Sequence, residues 1–325
     1  MSDWKIYNGK GDPHDAEFPE PPPWRKFEGK VLNTLQLDSE TDSYSRRLLA
    51  RGAVFQTSKE EVELVNAALY LRRPLLISGK PGSGKSSLAY SVARELKLGP
   101  VLRWSITSST KLSDGLYHYD AIGRLQDASL NRDLGIGEYI RLGPLGAALL
   151  ASEKPRTLLI DEIDKSDIDL PNDLLHVFEE GEFEIPELVR HTKEEKAVEA
   201  YFGKQSNAKV KIEEGHVLCR EFPFVVLTSN EEREFPPAFL RRCLRLEMKS
   251  PNKKKLEDIV KAHLGEAVFP AADQLIDDFI KEGEKGNFLA TDQLLNAIYF
   301  VSRGIDISRD KKELFQAVLR PLSNV

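Results

Sequence analysis

The sequence has too few cysteines, and no suitably spaced histidines, for a disulfide-built or zinc-stabilised protein. Cys219 and Cys243 are the two cysteines among 325 residues, and no CxxC spacing occurs. Two cysteines so far apart are typical of reduced thiols in a cytosolic protein. The six histidines form neither HExxH nor zinc-finger spacing, so they predict no metal site.

Long apolar runs and an excess of positive charge are also absent. No run approaches the ~20 residues that a membrane-spanning helix needs, and residues 1–11 are too polar for a secretory signal. Lys and Arg number 46 against 52 Asp and Glu, a net charge of −6. Proteins that bind nucleic acid broadly usually carry a basic footprint, so only a local basic channel is left open. We therefore expect a cytoplasmic protein without membrane association.

A glycine-rich segment at residues 74–87, PLLISGKPGSGKSS, is the most informative part of the sequence. Gly79, Gly84, Lys85 and Ser86 fill the pattern GxxxxGK[ST]. An apolar strand precedes the loop, and apolar residues at helical spacing follow it. Glycines let successive N–H groups point at a phosphate, and the positive end of the following helix faces the same phosphate. The segment therefore predicts a phosphate-binding P-loop.

The P-loop motif assigns specific tasks to its residues. Lys85 is expected to reach the β- and γ-phosphates, and the Ser86 hydroxyl to ligate Mg²⁺. The loop contacts phosphates rather than the base, so by itself it does not select ATP over GTP. The predicted nucleotide-binding residues are Gly79, Lys80, Pro81, Gly82, Ser83, Gly84, Lys85, Ser86 and Ser87.

Two acidic residues follow the apolar strand at residues 157–160. In P-loop NTPases a carboxylate at this strand end helps to hold Mg²⁺, so Asp161 joins Ser86 as a predicted metal ligand. The second carboxylate, Glu162, can polarise the attacking water as a general base. Taken alone, DEIDKSDID would fit a solvated acidic turn equally well. Its position after a P-loop favours the catalytic interpretation.

Two later polar signals are weaker on their own. Asn230 follows the apolar strand at residues 224–228, where an amide could lie beside a γ-phosphate, although strands often end in asparagine. Arg241 and Arg242 precede an apolar strand at residues 244–248. Adjacent arginines of this kind usually form a solvated basic patch.

The segments GKPGSGKS, LLIDEIDKSD, TSN and FPPAFLRRC, in this order, resemble the AAA+ ATPases and most closely the bacterial MoxR family. Further segments, such as GLYHYDAIGRL and DLPNDLLHVFEEGEFEIPE, extend the resemblance over nearly the whole chain. The resemblance implies an α/β P-loop NTPase fold with a parallel five-stranded sheet flanked by helices. It also implies a C-terminal all-helical lid, with ATP and Mg²⁺ bound between the two parts.

The resemblance also implies roles for the weaker signals. Asn230 becomes the sensor that positions the attacking water. Arg241 and Arg242 fall where the family has an arginine finger for the neighbouring subunit, and we favour Arg242 because it aligns with the arginine before the final strand. The stretch GNFLATDQLLNAI lacks the second-sensor arginine of many AAA+ lids, and Lys285 or Thr291 are candidates to replace it. The implied catalytic residues are Lys85, Glu162, Asn230, Arg241 and Arg242.

Three functions follow from these observations. The first is an ATPase that works as a ring, usually a hexamer, and remodels or helps to assemble a partner protein in the manner of a chaperone. The resemblance implies a partner with a von Willebrand factor A domain. The second is a nucleotide-gated scaffold with slow hydrolysis, which the missing second-sensor arginine keeps open. The third is a nucleic-acid motor, which the acidic charge balance disfavours.

Length and local pattern divide the chain into three expected parts. The length suggests about two domains, and 41% hydrophobic residues supply an ample core. Residues 1–56 form a proline-rich arm, residues 57–249 an α/β core, and residues 250–325, where only helical spacing occurs, a helical lid. The predicted core strands span residues 75–77, 101–104, 157–160, 224–228 and 244–248.

Several segments around the core carry expectations of their own. PEPPPWRKF predicts either a stiff strap whose Trp24 and Phe27 pack onto the core, which we favour, or a ligand for a proline-recognising domain. Residues 105–147 are expected to be largely irregular. The charged insertion at residues 191–207 is either a solvated loop or a partner-facing protrusion, and a small hairpin follows it at residues 210–219.

Three further helices are predicted. A short helix is expected at residues 44–50. In the lid, Thr291 is predicted to cap the third helix and Ser308 a fourth.

Overall fold

The structure is a computed structural model that describes residues 4–32, 52–132, 134–192, 195–203, 207–284 and 289–303. Its α-helices are α1 (Lys59–Leu71), α2 (Lys85–Glu95), α3 (Leu112–Leu116), α4 (Ala121–Ser129), α5 (Pro144–Ala148), α6 (Asp169–Glu180), α7 (Pro186–His191), α8 (Pro237–Leu240), α9 (Lys253–Leu264), α10 (Phe269–Glu284) and α11 (Thr291–Ser302). Its strands are β1 (Leu75–Ser78), β2 (Leu102–Ser105), β3 (Tyr117–Tyr119), β4 (Ile140–Leu142), β5 (Thr157–Asp161), β6 (Glu182–Glu184), β7 (Ala197–Tyr201), β8 (Lys209–Glu213), β9 (His216–Leu218), β10 (Phe224–Ser229) and β11 (Leu244–Glu247).

Five strands form a parallel sheet in the order β11–β1–β10–β5–β2. Ile77 lies beside Thr228, and Leu227 lies beside Ile160, so the carboxyl ends of β1, β10 and β5 meet at one edge. Alternate residues of β1 enter two different hydrophobic clusters, one on each face of the sheet. The central strands β1, β5 and β10 are covered on both faces and read as apolar runs, whereas the edge strands β2 and β11 alternate apolar residues with exposed polar ones. Both patterns predict strands, and all five were predicted within about one residue. The predicted α/β fold, with helices on the sheet, is confirmed.

A second sheet has six strands in the order β3–β4–β7–β8–β9–β6. The expectation of an irregular stretch at residues 105–147 is wrong, because β3 and β4 pair in antiparallel fashion there. These strands are only three residues each, too short to produce a clear alternating pattern. The predicted hairpin at residues 210–219 is confirmed, with Glu213 opposite His216.

The charged insertion contributes a strand to this second sheet. β7 pairs antiparallel with β8, from Ala197 opposite Glu213 to Tyr201 opposite Lys209. Val198 and Ala200, on the same face of β7, are buried. The interpretation of the whole insertion as a solvated loop is therefore wrong for residues 197–201, where buried Val198 and Ala200 flank exposed Glu199 along a half-buried strand.

The N-terminal segment packs against the core through different residues from those expected. Phe27 stacks on Phe222 with ring centroids 5.9 Å apart, as the strap interpretation predicts. Trp24 is 78% exposed, so its predicted packing is wrong. The neighbouring Arg25 is buried instead, because its guanidinium satisfies main-chain carbonyls that apolar groups could not.

Arg25 is bonded on three sides. Its Nε and Nη2 donate to the carbonyl of Arg72 at 3.1 and 2.7 Å, and Nη1 donates to the carbonyl of Phe178 at 2.6 Å. The guanidinium also lies over the ring of Phe222, 4.6 Å from its centroid. The segment is thus joined to the ends of α1 and α6.

Arg25→Ala is expected to lower the free energy of unfolding by about 2–4 kcal/mol, because it leaves two buried carbonyls without donors. Urea denaturation followed by circular dichroism measures the change. Lys26→Ala is the matched control, since Lys26 is exposed and adjacent. Equal stability of the two variants would contradict the assigned role of Arg25.

The helices α9, α10 and α11 share a hydrophobic cluster of their own. Its buried residues are Leu256, Val260, Ala272, Ile276, Leu294 and Ile298. Thr291 is the first residue of α11 rather than its cap. The cap position belongs to Ala290, whose N–H donates to the Gln293 side chain at 2.8 Å. Gln293 thus supplies one half of a capping box, the bond from the N-cap N–H to the third helical side chain, and the predicted cap is off by one residue.

Some predictions lie outside the described residues, namely Lys285, the helix capped by Ser308 and the helix at residues 44–50. Within the described ranges, no helix combines the length and apolar character needed to cross a membrane. Cys219 and Cys243 are both free, as predicted, and burial raises the pKa of each thiol to about 12.

Candidate functional site

A cavity of about 710 Å³ lies where the carboxyl-terminal edge of the parallel sheet meets the C-terminal helices. Pro81 to Ser87 line one wall, and Asp161, Glu162 and Asn230 line the floor. Residues of α9 and α11 line the opposite side. The topology therefore brings together predicted residues that stand far apart in sequence.

The P-loop has the backbone that its glycines permit. Gly82 and Gly84 have φ of +76° and +92°, values that residues with a side chain rarely adopt. A Cβ atom on Gly82 would lie 2.3 Å from the Cβ of Ala290, so this glycine is also needed where the loop touches α11. The Ser83 hydroxyl is buried and has no hydrogen-bond partner among the described residues. The loop leads directly into α2, whose N-terminus faces the cavity.

Lys85 is the first residue of α2, and three hydrogen bonds fix its ammonium group. Its ammonium donates to the carbonyls of Gly79 and Lys80 at 2.6 and 2.9 Å, and to Asn230 Oδ1 at 2.8 Å. Gly79 and Lys80 thus support the lysine rather than line the cavity. Burial lowers the pKa of Lys85, and nearby carboxylates, Asp164 first, act in the opposite direction.

Asp161 and Ser86 form the oxygen pair that the sequence predicts. Ser86 Oγ donates to Asp161 Oδ1 at 2.8 Å, and Thr228 Oγ1 donates to the same oxygen at 2.7 Å. Arg103, from the neighbouring strand β2, donates to Oδ2 through Nη2 at 2.6 Å. Burial alone would raise the pKa of Asp161, but hydrogen bonds from Thr228, Ser86 and Arg103 lower it below its usual value. The carboxylate is therefore kept ionised.

Oxygen donors of this kind fit Mg²⁺, which favours carboxylate and hydroxyl ligands together with water and phosphate oxygens. Ser86 Oγ and Asp161 Oδ1 lie side by side on the cavity wall, next to a loop shaped for phosphate. The site therefore has the donor set for a Mg²⁺–nucleotide complex. Within the described part of the chain, no cluster of three or more His, Cys, Asp or Glu offers an alternative metal site.

Glu162 lies directly beyond this pair in a left-handed backbone conformation, with φ of 63°. Its N–H donates to Thr228 Oγ1 at 2.9 Å, which helps to hold this unfavourable geometry. Its carboxylate accepts from Lys165 Nζ at 2.9 Å and reaches the cavity. A carboxylate facing the phosphate site from this position has the chemistry of a general base.

Asn230 is positioned by a buried carboxylate that the sequence did not single out. Asp164 Oδ2 accepts from the N–H of Asn230 at 2.7 Å and from that of Glu232 at 3.2 Å. Asp164 is 3% exposed. It fixes the turn after β10, so that the Asn230 amide stands beside Lys85.

Arg241 and Arg242 lie away from this cavity. Neither is among its lining residues. Arg242 forms an ion pair with Glu179 and donates to the carbonyl of Ala238 at 3.2 Å. Arg241 is exposed. Neither arginine therefore contributes to the cavity of its own chain.

Three further residues belong to the site although sequence reasoning missed them: Arg103, Asp164 and Thr228. A polar residue at the buried end of β10 and an acid three positions after Asp161 were the available signals for Thr228 and Asp164. Arg103 gave no such signal, since only strand pairing places it beside Asp161.

A parallel sheet, a P-loop and strand-end carboxylates around one cavity define a P-loop NTPase. A family model for the AAA domain of the dynein-related subfamily matches residues 74–243. This span covers more than half of the chain and four of the five core strands, all except β11, and the chain belongs to that family of AAA+ ATPases. No curated protein matches the sequence.

Thr228→Val is expected to lower the turnover number roughly 10- to 100-fold while leaving nucleotide affinity nearly unchanged. The buried hydroxyl joins Asp161 to the Glu162 backbone, and valine keeps the volume but removes both hydrogen bonds. Steady-state phosphate release and equilibrium nucleotide binding measure the two quantities. Thr228→Ser retains the hydroxyl and should restore most of the activity. Equal loss in both variants would contradict the hydrogen-bonding role.

Proposed function

We propose that this protein hydrolyses ATP in a Mg²⁺-dependent reaction and uses the cycle to remodel or help assemble a partner protein. The observation that carries the proposal is the convergence of Lys85, Ser86, Asp161, Glu162 and Asn230 on a single cavity. Three separate strand ends supply these groups. Their combination matches the requirements of phosphoryl transfer to water.

Each side chain has a defined task in this reaction. Ser86 and Asp161 would hold Mg²⁺, which neutralises charge on the β- and γ-phosphates. Lys85 exchanges carbonyl partners for phosphate oxygens and keeps its positive charge near the transferred group. Glu162 accepts the proton of the attacking water. Asn230 orients that water and the γ-phosphate.

The positive charge for the transition state is completed by a neighbouring subunit in this proposal. Arg241 and Arg242 lie outside the nucleotide cavity of their own subunit, in the short connection between α8 and β11. A trans-acting arginine is worth about 10³- to 10⁵-fold in rate in related chemistry. We therefore propose a ring of identical subunits, a hexamer by resemblance to MoxR-type ATPases.

The partner is proposed from the same resemblance. The candidate is a cytoplasmic protein with a von Willebrand factor A domain. The second sheet and α4, both outside the nucleotide cavity, offer surface for such a partner. Ile122 and Leu125 on α4 are 70% and 72% exposed.

A nucleotide-gated scaffold with slow hydrolysis is the second candidate. The observation that favours it is the lid side of the cavity, where the described lining residues include Thr291 and Lys255 but no arginine. A scaffold would assemble on ATP and release its partner on slow turnover. Failure of a partner protein to stimulate hydrolysis would support this alternative.

Steady-state ATP hydrolysis across a series of protein concentrations tests the proposal. Specific activity is expected to rise with concentration and to disappear when EDTA replaces Mg²⁺. Size-exclusion chromatography with light scattering, with and without ATP, reports assembly under the same conditions. Activity that is absent at every concentration, with normal ATP binding, would replace the ATPase proposal with the scaffold. Loss of ATP binding itself would overturn both.

A further inference from the structure

The lid touches the core at a small set of contacts around the cavity. One is the approach of Ala290 to Gly82 described above. Another is made by Lys255, on the first turn of α9, whose side chain lines the cavity. Because α9 carries the cluster that joins α10 and α11, a contact made by Lys255 positions the whole helical unit.

Lys255 reaches across to a carboxylate of the core. Its Nζ lies 3.0 Å from Glu61 Oε1, and the Glu61 side chain is 5% exposed while that of Lys255 is 24% exposed. A carboxylate buried to this extent requires a partner, since an unpaired charge away from water is strongly unfavourable. Movement of α9 away from α1 would remove that partner. The lid and the core are therefore electrostatically coupled at this point.

Glu61 is also part of the local structure that shapes the cavity. Its second oxygen, Oε2, accepts from the Ser58 N–H at 2.8 Å, and Ser58 Oγ accepts from the Glu61 N–H at 3.2 Å. This capping box fixes the start of α1. The segment just before it, residues 54–56, lines the cavity. One carboxylate thus joins the lid lysine to a wall of the nucleotide site.

Phe55 extends the same contact to the P-loop. Lys255 Nζ lies 5.8 Å from the centroid of the Phe55 ring, within the range of a cation–π contact. The ring in turn packs against Gly84, where an added Cβ atom would approach it to 3.0 Å. Lys255, Phe55 and Gly84 therefore form a continuous path from α9 to the phosphate-binding loop.

We propose that Lys255 is a positioning residue that docks the helical lid on the core through Glu61 and Phe55, and so sets nucleotide affinity. This inference rests on the proposed function, because it assigns a role to the lid side of the same cavity. The contact between the lid and the core is made by a lysine of α9, whereas Thr291 lies on α11. Lys255 supports the cavity wall and acts through Glu61 rather than on the reacting phosphate.

A double-mutant cycle on the full chain tests the proposal with Lys255→Ala, Glu61→Gln and the double variant. Glu61→Gln keeps a side-chain oxygen for the Ser58 N–H and removes the charge, so the capping box is retained. Each single variant is expected to weaken equilibrium ATP binding roughly tenfold, and the double variant no more than the stronger single one. Lys254→Ala, an exposed neighbour on α9, is the control and should bind as wild type does.

Hydrogen exchange of the nucleotide-free protein gives a second readout that does not depend on ATP. Lys255→Ala and Glu61→Gln are expected to speed exchange in residues 54–61 and 253–264, whereas Lys254→Ala is not. Additive effects on affinity, or exchange equal to that of Lys254→Ala, would overturn the role of Lys255. If wild type fails to bind ATP, the proposed function fails, and the exchange data alone decide whether Lys255 docks the lid.

Discussion

Glu162→Gln is expected to bind ATP as tightly as wild type and to hydrolyse it roughly 10²- to 10⁴-fold more slowly. Glutamine has the size of glutamate but cannot accept the proton of the attacking water. Binding should persist because the phosphate contacts come from the P-loop, and the Glu162 N–H bond to Thr228 is a main-chain contact that the substitution leaves intact. Phosphate release at saturating ATP and equilibrium binding of ATP measure the two effects.

The control for this variant is Glu234→Gln, which makes the same chemical change at an exposed position outside the cavity. It should retain wild-type turnover. Turnover of the Glu162→Gln variant within about threefold of wild type would show that another group is the base, since loss of a true base costs at least about 10²-fold. A stable ATP-bound form of Glu162→Gln would also be the reagent of choice for capturing a partner.

Arg242→Ala is expected to lower ATP turnover about 10³-fold and to abolish its rise with protein concentration. In the isolated subunit, the guanidinium is held by Glu179 and lies outside its own cavity. Assembly would exchange this carboxylate for the phosphate of a neighbouring subunit, which supplies positive charge to the transition state. A concentration series of hydrolysis rates, with assembly followed by light scattering, measures the effect.

Arg241→Ala is the informative comparison, because Arg241 is exposed and adjacent. We expect it to retain activity within a few-fold of wild type. The reverse result, with Arg241→Ala inactive and Arg242→Ala active, would make Arg241 the finger. If both variants keep the concentration dependence of wild type, neither arginine acts in trans, and the ring proposal loses its catalytic basis.

Hydrophobic patterns and short motifs were sufficient to predict the parts of this protein whose structure depends on neighbouring residues in the sequence. The three central strands are apolar runs and the two edge strands alternate apolar with polar residues, so all five core strands could be predicted from the sequence. The P-loop could be predicted because phosphate binding requires glycine, lysine and serine at fixed intervals. Asp161 and Glu162 could be predicted because they follow an apolar strand in a chain that already has a P-loop.

The errors arose where residues pair across long separations. The strand Ala197–Tyr201 lies in a charged stretch, and its identity depends on β8 as a partner. Trp24 was expected to pack on the core, but Arg25 is buried there instead, because its guanidinium donates to the carbonyls of Arg72 and Phe178. Hydrophobicity alone ranks tryptophan above arginine for burial, and it does not register buried acceptors.

The α/β class, the P-loop, the strand-end acids Asp161 and Glu162 and the helical character of the C-terminal part could all be predicted from local sequence. These depend on spacing within a few residues, which a linear pattern records. The folded chain was needed to show that Arg103 and Thr228 bind Asp161, that Asp164 positions Asn230, and that Lys255 of α9 pairs with Glu61. Such contacts depend on strand order and on the packing of helices. The role of each of these side chains therefore cannot be predicted until its partner in the fold is known.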